Sequence, residues 1–519
     1  MRKAALMSGL NHLPPGLASA TTMPGSVIGT ASPIPVSQTQ SSIASAPSTP
    51  LPPLVVDLDG TLVKTDLLLE SLFSLLRQAP LCLFSLPFWL LKGRAHLKRE
   101  IASRVQLDVA SLPYRTALLE KLGIEHGKGR SIVLATASDE LLARPVADHL
   151  QLFDSVLASD GSTNLSGEHK RERLVSSFGE RGFDYAGDGS VDLAVWSSAR
   201  KAIVVNPNRG LLRAVGKVAA VESVFNDSPS LGEYLKALRP KQWLKNLLVF
   251  VPLFAAHRFY EPAVIEKTLL AFAAFCCCAS SGYVFNDVLD LSADRHHPTK
   301  RMRPFASGRL PLSYALAMVP ALLVLGWGLA GFGSLSLVGV VLLYSVLTLT
   351  YSLYIKKVVL LDVIVLAGLY TLRIMAGAVA VSIWLSPWLL AFSMFLFISL
   401  AFVKRYDELV VMRSVDGDHA KARSYEISDA ELLASKGTAS GYMAALVLAL
   451  YISSNTAKAL YRRPEFMWLL CPLLLYWVGH MWLVAHRGKM IDDPLVFALR
   501  DGTSRIVIVL MLGTALLAV

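Results

Sequence analysis

Residues 271–304 read AFAAFCCCASSGYVFNDVLDLSADRHHPTKRMRP. A mostly apolar, uncharged run closes at Asn286, and Asp287, Asp290 and Asp294 follow at once. On a helix the spacing i, i+3, i+7 puts all three on one face. Three carboxylates so close repel one another and are costly beside lipid, so they need a counter-ion. A divalent metal is the natural one, and a metal held by carboxylates at a pore mouth clamps a diphosphate. Lys300, Arg301 and Arg303 come next and suit the remaining phosphates. For these basic residues a solvated loop on the positively charged side of a membrane is an equal reading.

Outward from this stretch the hydropathy repeats. About nine apolar spans follow residue 243, near 244–256, 264–286, 312–332, 335–354, 359–382, 384–403, 441–460, 466–485 and 503–519. The whole chain of 519 residues is 53% hydrophobic and 17% charged, with mean hydropathy +0.48. Soluble domains average roughly 25% charged, so an integral membrane protein is expected. The net charge of +11 does not make a nucleic-acid binder, because the polar surface is too sparse. If helices alternate sides, sixteen lysines and arginines lie in the connections 287–311, 355–358, 404–440 and 486–502, Lys421 and Arg423 among them. The opposite connections offer Arg258, Arg462 and Arg463. The positive-inside rule then places the basic loops, and the soluble domain on their side, in the cytoplasm. Cys276, Cys277 and Cys278 sit in an apolar run, and Cys82 and Cys471 stand alone. They read as packing residues and exclude a disulfide framework.

Further polar residues cluster at the same ends of the spans. In YSLYIKKVVLLDVIVLAGLYTLRIMAG (351–377), Lys356, Lys357 and Asp362 precede an apolar helix. Arg373 returns to nearly the same face as Asp362 about 16 Å deeper. An arginine at that depth should line a cavity and meet an anion, or else serve helix packing. LRPKQWLKN (238–246) sets Arg239, Lys241 and Lys245 around Trp243, as substrate contacts or as interfacial anchors. KRYDEL (404–409) adds Lys404, Arg405 and Asp407, and DDPLVFALRD (492–501) is a fourth candidate contact.

Residues 235–519 resemble the UbiA superfamily of intramembrane prenyltransferases, with NDxxDxxxD and a second loop motif after the fourth span. The finer resemblance is to decaprenyl-phosphate phosphoribosyltransferases, carried by RPKQWLKN, NDVLDLSADRHHPTKRMRP, and YSLYIKK with Asp362 and Arg373. Members with aromatic acceptors usually show a second aspartate-rich motif. Here that loop offers only Asp362, which fits the phosphoribosyl branch. The resemblance implies Mg²⁺ on Asp287, Asp290 and Asp294, and transfer of 5-phosphoribose from phosphoribosyl diphosphate to a polyprenyl phosphate. It implies substrate contacts from Lys245, Asn286, Lys300, Arg301, Arg303, Lys356, Lys357, Asp362, Arg373, Lys404 and Arg405. It also implies a bacterial inner-membrane enzyme of cell-envelope synthesis. The alternative within the family is transfer of a prenyl group from prenyl diphosphate to an aromatic or other small acceptor. A transporter or scaffold would place its acidic residues near the midplane rather than at span ends.

The N-terminal part reads differently. Residues 1–50 are rich in Pro, Ser, Thr and Ala, with Arg2 and Lys3 their only charges, which predicts a disordered tail without a secretory segment. Residues 53–225 alternate short β-branched runs with helical patterns, predicting a Rossmann-like α/β domain with a parallel sheet. The insert ending in LCLFSLPFWLL (81–91) contains Pro87 and is too short to span a bilayer. It either docks on the membrane or packs as a cap. Asp57 and Asp59 leave the first strand, and Asp188 and Asp192 leave a later one, a carboxylate set suited to Mg²⁺ and to nucleophilic attack on phosphorus. Thr136 closes a strand where its hydroxyl can hold a phosphoryl oxygen, with Ser138 competing for the role. Lys170 can neutralise the pentacovalent charge. DxDGT, the strand ending in Thr, the downstream Lys and GDxxxD resemble the haloacid dehalogenase superfamily. That resemblance implies Asp57 as nucleophile, Asp59 as general acid/base, and a metal on Asp57, Asp188 and Asp192. A non-catalytic docking domain is the alternative. If the domain is active, it is expected to remove the 5-phosphate that the transferase product still bears.

Overall fold

The computed structural model describes residues 51–416, 421–422, 424–490 and 493–519, and no side chains from 414 to 423. The tail expected at 1–50, Arg423 and Asp492 therefore lie outside the described residues, and of Lys421 only the backbone is described.

Six strands form one parallel sheet: β1 (Leu54–Val56), β2 (Ile132–Asp139), β3 (Ser155–Ser159), β4 (Asp184–Gly187), β5 (Lys201–Val205) and β6 (Ala220–Phe225). Their order is β3-β2-β1-β4-β5-β6. The pleat sends Leu54 and Val56 into one core and Val55 into the other, so both faces of β1 are covered. That is why LVV reads as a continuous apolar run. The strand order reverses between β1 and β4, and in such sheets ligands bind in the crevice at that point, beyond the carboxyl ends. The chain leaves both strands there into aspartates. β6 is absent from the sequence reading because AVESVF is a largely exposed edge strand with no apolar run to betray it.

Among the described residues, seven helices are long and apolar enough to cross a membrane. With the helix that precedes the whole set they are α1 (Leu67–Gln78), then α2 (Pro262–Leu289), α3 (Leu312–Gly333), α4 (Leu335–Leu353), α5 (Leu361–Ala380), α6 (Pro387–Asp416), α7 (Ala430–Ser453) and α8 (Leu470–His486). The expectation of nine is corrected at both ends. Residues 240–250 form 3-10 turns, followed by the five-residue helix Val251–Ala255 with Pro252 in its first turn. This segment buries Lys245 and Asn246 against polar partners inside the bundle, which a lipid-facing helix could not do. It meets α5 backbone to backbone, since a Cβ on Gly377 would lie 2.0 Å from the Val249 carbonyl oxygen. The last helix, Gly502–Ala518, has 17 residues and rises about 26 Å, short of a roughly 30 Å hydrocarbon core.

The sheet and the bundle are joined by specific contacts. Asp66 caps α1 by accepting from the Leu69 amide at 2.9 Å. Phe73 of α1 packs with Val284, Val288 and Leu291. Arg295 grips Glu70 with both guanidinium amines, and the two side chains are buried. The Lys357 ammonium donates to the Arg77 carbonyl at 3.0 Å. At Gly308 (φ +68°) a Cβ would lie 2.8 Å from Lys64 Cβ and 2.9 Å from Pro113 Cβ, so the loop before α3 presses against the sheet domain.

Candidate active sites

Beyond the carboxyl ends of β1 and β4 the carboxylates converge. Oxygens of Asp57, Asp188 and Asp192 lie within 4.8 Å of one another, the one such group among the described residues. Lys170 donates to Asp57 at 2.8 Å and to the Tyr185 hydroxyl at 3.1 Å, and Tyr185 donates to Asp192 at 2.7 Å. Asp192 also accepts from the Asp188 and Gly189 amides, so it is committed to holding the loop. Asp59 accepts from Ser138 Oγ at 2.6 Å and from the Leu67 amide at 2.7 Å, while Thr136 Oγ1 stands 3.4 Å away. Gly60 has φ +72°, and a Cβ there would lie 2.2 Å from Asp188 Oδ2, so only glycine fits the turn.

Burial is the largest influence on these groups. It pushes Asp57 up to about 6 against the pull of Lys170, and it pushes Asp59 up to about 7 with help from Asp66. Asp188 rises to about 7 through burial and then the neighbouring Asp57 and Asp192. Burial also opposes the Lys170 charge, but Asp57 and Asp192 outweigh it and hold the ammonium above its usual range. An all-oxygen donor set in which carboxylates penalise each other is one that a hard divalent cation relieves. Asp57 and Asp188 fit that group; Asp192, already bonded to Tyr185 and two amides, is placed to orient the loop.

The second site is a cavity of about 490 Å³ at the basic ends of the spans. Lys245, Asn286, Asp290, Asp294, Lys300, Arg303, Lys356, Arg373 and Lys404 all line it. The three aspartates do not share one helix. α2 ends at Leu289, Asp290 is its C-cap, and a new helix starts at Leu291. Each carboxylate is met by a cation: Arg239 pairs with Asp287, Arg303 bridges Asp287 and Asp294, and Lys356 meets Asp290 at 3.0 Å and Asn286 at 3.1 Å. Arg373 lies deeper, donating to Asn246 Oδ1 at 2.8 Å, the Tyr344 hydroxyl at 2.9 Å and the Leu369 carbonyl. All three acceptors are neutral.

Other expected contacts lie elsewhere. Asp362 and Arg405 are buried against each other at 2.5 Å, with the Tyr425 hydroxyl closing on Asp362 at 2.7 Å, and neither lines the cavity. They lock α5 to α6. Lys357 turns to α1, and Arg301 is exposed outside the lining. Asp493, by contrast, is central: it accepts from Lys245 at 2.7 Å, Lys404 at 3.1 Å and the Tyr370 hydroxyl at 3.0 Å. Burial works against its charge, yet the two lysines hold its carboxyl well below the usual carboxylate range. The DDPL motif was a signal for it; its lysine partners, far away in sequence, were not readable as such.

A multi-pass helical bundle with a basic, aspartate-bearing mouth is the architecture of an intramembrane transferase. Residues 247–500 match the UbiA prenyltransferase family, and the chain belongs to that family. An uncharacterized protein of Sinorhizobium fredii, y4nM, is 37% identical over 87% of this chain and 88% of its own length. The decaprenyl-phosphate phosphoribosyltransferase of Corynebacterium glutamicum is 41% identical over 181 residues, 34% of this chain and 54% of that enzyme. The chain thus matches about half the length of that relative. A UbiA homolog from Archaeoglobus fulgidus, solved bound to GPP and Mg²⁺, is similar with a TM-score of 0.43 and 17% identity over 54% of this chain and 99% of that one.

Proposed function

We propose that the membrane site transfers 5-phosphoribose from phosphoribosyl diphosphate to a long polyprenyl phosphate. The observation that carries this reading is the lining of the mouth: seven lysines and arginines against five carboxylates, drawn from separate segments onto one cavity. Such an excess suits a polyanion and a second anionic substrate together. The lipid phosphate oxygen attacks C1 of the ribose, the C1–O bond to the diphosphate breaks, and the diphosphate leaves with the electron pair. No general base is needed, because the nucleophile is already an anion. Lys300, Arg303 and Lys356 hold the phosphates, and Arg373 offers a deeper charge to a lipid phosphate; bringing the two anions together lowers the barrier. Mg²⁺ on Asp287, Asp290 and Asp294 would neutralise the leaving diphosphate, and binding it there requires these carboxylates to exchange their pairing with Arg239, Arg303 and Lys356 for the ion. The similarity to named decaprenyl-phosphate phosphoribosyltransferases supports the donor and acceptor.

The sheet domain, in the same proposal, is a phosphatase of the haloacid dehalogenase type. Asp57 Oδ attacks phosphorus and the ester P–O bond breaks as Asp59 delivers a proton to the departing alcohol. Water, deprotonated by Asp59, then hydrolyses the aspartyl phosphate and restores both carboxyl groups. Mg²⁺ on Asp57 and Asp188 would offset the negative charge of the phosphoryl group, and Lys170 stays paired with Asp57 to orient it. The product is polyprenyl-phosphoryl ribose. Both sites lie on the side of the basic loops, which supports a cytoplasmic orientation in a bacterial inner membrane.

Mass spectrometry of lipid products tests the reading. Purified protein in nanodiscs receives Mg²⁺, polyprenyl phosphate, and either phosphoribosyl diphosphate or prenyl diphosphate with an aromatic acceptor. Phosphoribosylated lipid is expected. Turnover of prenyl diphosphate alone would replace the proposal with prenyl transfer.

A further inference from the structure

A second cavity, of about 620 Å³, opens directly over the sheet-domain carboxylates. Asp59 and Asp188 form its floor, and its opposite wall comes from the bundle: Arg309, Ser313 and Tyr314 at the start of α3. That wall is fixed in place, because Gly308 is pressed against Lys64 and Pro113 and Arg295 is bound to Glu70. Arg115 is committed to Asp227 and to the Thr61 and Gly60 carbonyls. Arg309 is held more loosely, by an ion pair with Glu233 at 3.5 Å and a contact with the Met302 sulfur at 3.9 Å. Beside it, Tyr234 and Tyr314 pack edge to face at 5.2 Å, a pair of the amphipathic rings favoured where protein meets the headgroup region.

We propose that this composite cavity receives a phosphomonoester carried on a lipid headgroup, and that Arg309 binds the internal phosphodiester joining that headgroup to its lipid. The inference rests on the phosphatase reading of the sheet domain and adds the residue that recognises the lipid-borne part of its substrate. A headgroup anchored in the bilayer beside α3 has its inner anion near Arg309 and its outer phosphate directed to the floor of Asp59 and Asp188, where Asp57 lies within 4.8 Å of Asp188. A free sugar phosphate has only the outer anion and gains nothing from Arg309. The wall also joins the two sites. Arg303 lines the transferase mouth and Arg309 lines this cavity, and six residues of chain separate them by at most about 22 Å. A lipid-held product can therefore reach the second site along the membrane edge.

The test uses full-length protein in nanodiscs with Mg²⁺ and two probes, farnesylphosphoryl ribose 5-phosphate and ribose 5-phosphate, with phosphate release as readout. Wild type is expected to prefer the lipid probe at least tenfold in kcat/KM. Arg309→Gln should cut that preference at least tenfold, mainly through KM, and Arg309→Lys should restore part of it. Lack of preference in wild type, or a preference unmoved by Arg309→Gln, overturns the inference and leaves the phosphatase reading standing. No release from either probe, with wild type equal to Asp57→Asn, overturns that reading and the inference with it.

Discussion

Arg373 brings a permanent charge into a helical bundle and meets there Asn246, the Tyr344 hydroxyl and the Leu369 carbonyl. Neutral acceptors orient a guanidinium without cancelling its charge, so the side chain stays available to an anion in the cavity it lines. A hydrogen bond to a charged group contributes about 1.5–3 kcal/mol. Arg373→Gln is thus expected to raise KM for the polyprenyl phosphate roughly 10- to 100-fold, measured by initial rates in nanodiscs. Gly60 gives a second residue-scale prediction. Alanine there meets both a left-handed backbone, costing about 1–2 kcal/mol, and the Asp188 carboxylate at 2.2 Å. Gly60→Ala should lower the unfolding midpoint by a few degrees and depress phosphate release far more than ribosyl transfer. Asp57 and Asp188 were legible because their spacing follows two strands of recognisable pattern. Asp493 was marked only by its DDPL motif and not by its role, which rests on Lys245 and Lys404, 248 and 89 positions away.

Among the elements, the segment after α1 shows what an apolar pattern leaves open. Residues 80–85 form 3-10 turns and Leu86–Leu91 a short helix. Leu81, Phe84, Phe88 and Leu91 are each more than 65% exposed, while Cys82, Leu86 and Trp89 pack inward. The segment begins three residues past Arg77, whose carbonyl accepts from Lys357 at the membrane edge. Exposed large side chains followed by Lys92 and Arg94 are what an interfacial helix presents to lipid. A polarity-sensitive dye on Phe88→Cys should emit at shorter wavelength in nanodiscs than in protein digested free of lipid; equal emission would show the segment dry of bilayer. The 240–250 segment teaches the converse. Its hydropathy suggests a span, but Lys245 and Asn246 have buried partners only when it folds as 3-10 turns against α5.

For the whole molecule the two sites form a sequence of reactions or nothing more than a fusion, and one variant decides. Asp57→Asn removes the proposed nucleophile, and phosphate release is expected to fall by about 10³-fold or more. Ribosyl transfer should persist, so the 5-phosphorylated lipid accumulates in mass spectra. An unchanged product ratio would separate the phosphatase from the pathway while leaving the transferase reading intact.

Sequence by itself determined the class of each half. Periodicity and charge suffice for that, because a strand buried on both faces and a helix in lipid each impose an apolar pattern on consecutive residues. It also marked most of the groups proposed to react, since those sit at the ends of such elements. Tertiary structure alone decided which groups meet. Asp362 and Arg405, both expected at the mouth, lock two helices together instead, while Arg309 leaves its basic loop to complete a cavity over Asp59 and Asp188. Long-range ion pairs depend on where distant segments pack, and no local pattern records that.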